Sequence, residues 1–244
     1  MHVTPRSRVA AAAGLLILTT LMIGPVAAEE APPGSEQTPI DIRDEDLTLV
    51  RRLPTVTTDY EIGPLEVINT GSPDEEATVR AIVPEGSTIT IGSEVYDFVQ
   101  FHWHTKSEHL RNGRHYPMEM HLLNAQDDGD LAVIAVFIRR GKKHNDLLGK
   151  IFDDLPQESG DTRSVPRFDL SRLLPRSGVS FRYAGSLTTT PYTEGVRWIV
   201  MNEPLTMSRN QIQAFRALFP EGDSRDTQDL NGRWIFSDIR FDRS

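Results

Sequence analysis

The run Phe98-Val-Gln-Phe-His-Trp-His104 and the run Met118-Glu-Met-His121 decide how this chain is read. Strand residues two apart share a face, so on a strand His102 and His104 point the same way. His121 follows in a second alternating run, after enough chain for a turn and a return. In the first run Gln100, His102 and His104 share one face, with Val99, Phe101 and Trp103 on the other. In the second, Glu119, His121 and Leu123 share a face opposite Met118, Met120 and Leu122. Three neutral imidazoles brought together by paired strands make a tetrahedral zinc site whose fourth position is open to water, the pattern of a catalytic rather than a structural zinc. Cobalt or ferrous iron would also suit three imidazoles. Gln100 and Glu119 each stand two residues before a histidine and offer the acceptors that a metal-bound imidazole needs at its other ring nitrogen.

The rest of the 244-residue chain sets bounds. A basic start with Arg6 and Arg8, an apolar run over Val9 to Ile23, and Val26-Ala27-Ala28 before Glu29 have the layout of a secretory signal peptide, residues 1–28, cleaved after Ala28. The apolar run is short for a membrane span, so the mature chain is expected to be periplasmic or secreted with no membrane span. Cleavage removes two arginines and no acid, taking the formal charge from −9 to −11. That balance disfavours nucleic acid as a partner. With no cysteine in the chain, disulfides are excluded. Residues 29–36 are rich in Pro, Gly and Glu and are expected to be flexible; residues 37–244 are of a length for one domain.

Short Val- and Ile-rich segments punctuated by Gly, Pro and Asp dominate that domain, which reads as mainly β with a few peripheral helices. Leu131 to Ile138 is continuously apolar, as in a central strand covered on both faces. Ser208 and Gln211 form a capping-box pattern ahead of Ile212, Phe215 and Phe219, and Pro220 ends that helix. Asn145 to Leu155 is a second helical candidate, with Leu147, Leu148, Ile151 and Phe152 on one side.

Taken together, Gln100-Phe-His-Trp-His104, Ser107-Glu-His109, Pro117-Met-Glu-Met-His121, and Ser186-Leu-Thr-Thr189 with Pro191, Glu194 and Trp198 resemble the α-class carbonic anhydrases. Gln37-Thr-Pro-Ile-Asp-Ile42 looks like the family's opening motif and Asn231-Gly-Arg233 like its closing Asn-x-Arg. The resemblance covers about residues 36–235. It implies a large, twisted, mostly antiparallel sheet of about ten strands and the reversible hydration of carbon dioxide to bicarbonate and a proton by attack of a zinc-bound hydroxide. It further implies that Thr188 and Glu108 orient that hydroxide, that His104 donates to the backbone carbonyl of Asn231, and that His109 is a buried structural hydrogen-bonder. Leu123, Val133, Leu187, Thr189 and Trp198 match the substrate pocket.

Three departures from the family pattern stand out. Ser72 occupies the place where fast family members carry a proton-shuttling histidine; serine does not titrate near neutral pH, so proton transfer is expected to depend on buffer. Only residues 29–36 precede Gln37 in the mature chain, where the family has a longer aromatic-rich segment. The cleft is then expected to be more open, or covered by a partner chain in a homodimer. Tyr192 stands where many bacterial relatives have a disulfide cysteine, and Thr190-Pro191 corresponds to a cis bond in the family. The alternative to an enzyme is a non-catalytic, carbonic-anhydrase-like zinc-binding surface protein.

Overall fold

The computed structural model describes residues 34–71 and 77–238. The expected leader, residues 1–28, residues 29–33 of the N-terminal segment and Ser72 lie outside the described residues. Fifteen strands follow in chain order. They are β1 (Asp41–Ile42), β2 (Leu47–Leu49), β3 (Val56–Asp59), β4 (Ile62–Asn69), β5 (Val79–Ile82), β6 (Thr88–Ile91), β7 (Glu94–His104) and β8 (Leu110–Arg111). After them come β9 (Arg114–His115), β10 (Met118–Ala125), β11 (Leu131–Gly141), β12 (Thr162–Asp169), β13 (Ser180–Ser186), β14 (Glu194–Ser208) and β15 (Ile235–Ser237). Among the described residues, helix α1 (Asp146–Phe152), helix α2 (Arg209–Leu218) and two single-turn 3-10 helices, Asp44–Asp46 and Leu170–Arg172, complete the regular structure.

The main sheet has 12 strands, two more than expected, in the order β12-β4-β5-β7-β10-β11-β14-β13-β15-β2, with β3 and β6 paired beside β7. Among the described residues only β1–β8, β11–β14 and β15–β2 pair in parallel. The centre of the sheet is covered on both faces. On one side Phe101, Trp103, Met118, Met120, Leu122, Ile134 and Val136 belong to the larger core. On the other, Val133, Ala135, Phe137, Trp198 and Val200 belong to a smaller one. Strand β11 supplies both, which is why Ala132 to Ile138 are all buried and why its sequence is continuously apolar.

Both helices pack on the larger core. Asn145 Oδ1 accepts from the Leu148 backbone N–H at 3.0 Å and caps α1, whose Leu148, Ile151 and Phe152 are buried. At α2 the capping box forms in full: Ser208 Oγ accepts from the Gln211 N–H, and Gln211 Oε1 accepts from the Ser208 N–H. Phe152 stacks on Phe215 and meets Trp103 edge-on with ring centroids 5.0 Å apart, tying both helices to β7.

Strand β7 departs from simple alternation. Its register with β10 runs Gln100↔Leu123 and then Phe98↔Asn124, so Val99 is an extra residue in a β-bulge. Val99 is 39% exposed, and it does not share the buried face of Phe101 and Trp103 as the alternation predicts. The bulge changes the parity of the strand. Tyr96 and Phe98 before it face the same core as Phe101 and Trp103 after it. Gln100, His102 and His104 are thereby committed to the opposite face.

Candidate metal centre

His102 and His121 are directly opposed across the antiparallel β7–β10 pair, and His104 opposes Glu119. The three imidazoles are buried, with ring centroids 4.7 to 5.3 Å apart. One ligand atom from each can be chosen so that all three lie within 4.8 Å of one another.

Hydrogen bonds decide which atoms these are. His102 Nδ1 lies 2.9 Å from Gln100 Oε1, His104 Nδ1 lies 3.0 Å from the Asp223 carbonyl oxygen, and His121 Nε2 lies 2.9 Å from Glu119 Oε1. An amide oxygen, a carbonyl and a carboxylate can only accept, so each of those ring nitrogens carries the proton. The remaining nitrogens, His102 Nε2, His104 Nε2 and His121 Nδ1, keep their lone pairs and face the centre. Burial, reinforced by the neighbouring His104 and His121, holds His102 well below the usual imidazole range. A neutral, three-nitrogen donor set of this kind fits a borderline-soft divalent cation such as zinc.

The outer layer is a buried polar chain. Glu119 accepts three hydrogen bonds: from His121 Nε2–H, from His109 Nδ1–H at 2.6 Å and from the His109 backbone N–H at 2.9 Å. Burial alone would push its carboxyl up, but the His109 and His121 rings hold it well below the usual carboxylate range. His109 Nε2 lies 2.6 Å from Tyr183 Oη, which reaches Thr38 Oγ1 at 3.2 Å, and Thr38 exchanges hydrogen bonds with Ser186. His109, Glu119 and His121 also cluster closely enough to suggest a metal group. Hydrogen bonding already consumes the Glu119 oxygens there.

Glu108 sits in the turn after β7. Its Oε1 accepts from the Arg225 backbone N–H at 2.8 Å. Its Oε2 is buried, accepts no hydrogen bond, and lies 3.7 Å from His104 Nε2 and 3.8 Å from His121 Nδ1. Thr188, Leu187 and Thr189 occupy the half-buried turn after β13, closed by Leu187 N–H to Thr193 O and Tyr192 N–H to Thr189 O. Among the described residues no hydrogen bond joins Thr188 to Glu108; the Arg225 amide holds Glu108 Oε1 and leaves Oε2 open. Leu123, Val133, Leu187 and Trp198 meet in the smaller core, and the Trp198 ring lies 5.0 Å from that of His121. The Thr190–Pro191 bond is cis.

The carbonyl behind His104 corrects the sequence reading: it belongs to Asp223, not Asn231. Asn231 Nδ2 donates to the Ser35 carbonyl instead, and Arg233 donates to Ala184 and Gln37 carbonyls. The working pattern is Asp223-Ser-Arg225, eight residues earlier, with Asp in the place of Asn. It supplies both the carbonyl for His104 and the amide for Glu108.

Comparison with known proteins agrees with this geometry. The family model for eukaryotic-type carbonic anhydrase matches residues 26–239. A carbonic anhydrase of Klebsiella pneumoniae is 37% identical over 205 residues, covering 83% of this chain and 80% of the relative. One from Nostoc sp. is 36% identical over 210 residues, covering 84% and 77%. Among solved structures, the α-carbonic anhydrase of Thermovibrio ammonificans, in complex with the inhibitor sulfanilamide, superposes with a TM-score of 0.78. It is 36% identical, and the match covers 83% of this chain and 87% of that one.

Proposed function

The chain belongs to the eukaryotic-type, or α, carbonic anhydrase family, and on that footing we propose that it hydrates carbon dioxide reversibly with a zinc ion held by His102, His104 and His121. One observation carries the metal assignment: each imidazole spends its protonated nitrogen on an acceptor and turns its lone pair to a common centre. Zinc bound there supplies Lewis acidity that acidifies a bound water, a general property of this enzyme class.

The chain's own residues do the rest. Gln100, Glu119 and the Asp223 carbonyl fix the ring orientations, and Glu119 sets a carboxylate behind His121. Carbon dioxide offers little to hydrogen-bond, so Leu123, Val133, Leu187 and Trp198 serve as an apolar wall. Glu108 keeps Oε2 as an acceptor facing the centre because Oε1 is held from behind. We assign Thr188 to pass its hydroxyl proton to that oxygen and so orient the attacking oxygen, with Thr189 beside it on the same turn.

Hydration of carbon dioxide releases one proton for each bicarbonate, and that proton must reach solvent. Ser72 stands at the shuttle position and cannot store it near neutral pH, so buffer carries the proton. We further propose that residues 1–28 act as a leader, on their basic-apolar-small layout, and that the reaction runs in the periplasm or outside the cell.

Stopped-flow hydration of carbon dioxide tests the proposal. Activity should vanish on chelation and return with zinc, and at low buffer it should rise with added imidazole. Full activity in the chelated protein would refute the zinc reading. Turnover independent of buffer would refute the Ser72 reading alone.

A further inference from the structure

Away from the metal centre, a groove of about 660 Å³ runs beside α2. Four cations line it: Lys106, Arg140, Arg209 and Arg216, against one carboxylate, Glu221. The concentration runs against the chain's formal charge of −9. The four come from three separate elements. Arg209 and Arg216 are seven apart on α2 and so share a face of that helix. Arg140 lies one residue before the end of β11, and Lys106 follows β7. Among the described residues none of the four side chains makes an ion pair or hydrogen bond, although the chain holds 35 acidic residues. Like charges brought together without a counter-charge repel each other, and a bound anion relieves that repulsion. Arginine forks match phosphate oxygens two at a time, and the volume is that of a small-molecule site.

We propose that this groove binds an anion carrying two or more phosphate groups. Such chemistry can come from a soluble di- or polyphosphate or from a phospholipid headgroup. The groove also adjoins residues that stand next to the metal centre's supports. Thr105, Gly222 and Ser224 line it. They flank His104 and Asp223, whose carbonyl holds His104 and whose Oδ1 accepts from the Thr105 N–H at 2.7 Å.

The test titrates pyrophosphate into the zinc-loaded protein by calorimetry. Saturable binding should weaken at least tenfold in an Arg209→Ala/Arg216→Ala variant. It should hold in a Lys142→Ala/Lys143→Ala control, whose exposed cations stand outside the groove. Absence of saturable binding, equal loss in the control, or binding that survives the double variant and so belongs to the metal would each overturn the proposal. Vesicles of cardiolipin, whose headgroup carries two phosphates, in phosphatidylcholine distinguish the source. Cosedimentation lost in the double variant identifies a lipid headgroup, and pyrophosphate binding without cosedimentation identifies a soluble phosphate. These outcomes do not depend on hydration activity, so they stand apart from the test of the enzyme.

Discussion

The Arg225 guanidinium lies 3.6 Å over the centre of the Tyr192 ring. Arg225 also gives its backbone N–H to Glu108 and its Nη1–H to the Thr38 carbonyl. One residue therefore joins the carboxylate beside the histidines to the turn that carries Thr188. Tyr192 stands where the family resemblance places a disulfide cysteine, and in this cysteine-free chain the stack ties that turn down.

Replacing Tyr192 separates the ring from the hydroxyl. Tyr192→Phe keeps the stack and should leave stability and turnover near wild type. Tyr192→Ala should lose about 1 kcal/mol, the scale of a partly exposed cation–π contact, and should lower kcat more than it raises KM. Thermal unfolding and stopped-flow kinetics on the two variants check this; equal behaviour of both would contradict it.

Glu119 supports His121 through a charge as well as a hydrogen bond. Glu119→Gln preserves an acceptor but removes the charge, and zinc affinity should fall roughly 10- to 100-fold. Competition against a chelator of known affinity measures the loss, and unchanged far-UV circular dichroism would show that the fold is kept.

Asp223 acts on His104 through its main chain and on Thr105 through its side chain. Asp223→Asn retains both acceptors and should bind zinc nearly as the wild type does. Asp223→Ala strands the Thr105 N–H and should cost about 1–3 kcal/mol of stability. Chemical denaturation of the pair separates the two roles.

Val99 is present for register, not for its side chain. Val99→Ala should change stability by no more than about 1 kcal/mol, as at an exposed strand position. Deleting Val99 removes the bulge, so either Tyr96 and Phe98 or the histidine run must change faces. The deletion should abolish cooperative unfolding. A deletion variant that unfolds cooperatively near the wild-type midpoint would contradict this reading of the strand.

These elements also show what the sequence made legible. The three histidines, Gln100 and Glu119 were readable because strand period and ligand chemistry coincide in one short stretch. Strand β11 and the capping box of α2 were readable for the same kind of reason: a local pattern had a local cause. The bulge left a trace, since Tyr96 and Phe98 alternate out of phase with Phe101 and Trp103, but alternation read from His104 backwards passes over it. The Asp223 carbonyl left none. Any residue offers a main-chain carbonyl, and residues 223–225 lie in an aperiodic stretch where Asn231-Gly-Arg233 presented the more familiar spelling. Strand β12 was missed because it is polar, contains Pro166 and lies at the end of the sheet, where proline is tolerated.

The most direct measurement is a crystal structure of the zinc-loaded chain with anomalous data at the zinc edge. The account predicts one strong peak about 2.0–2.1 Å from each of His102 Nε2, His104 Nε2 and His121 Nδ1, at the distances usual for zinc–imidazole bonds. A peak between His109, Glu119 and His121, or zinc-dependent hydration with no peak among the three histidines, would contradict it.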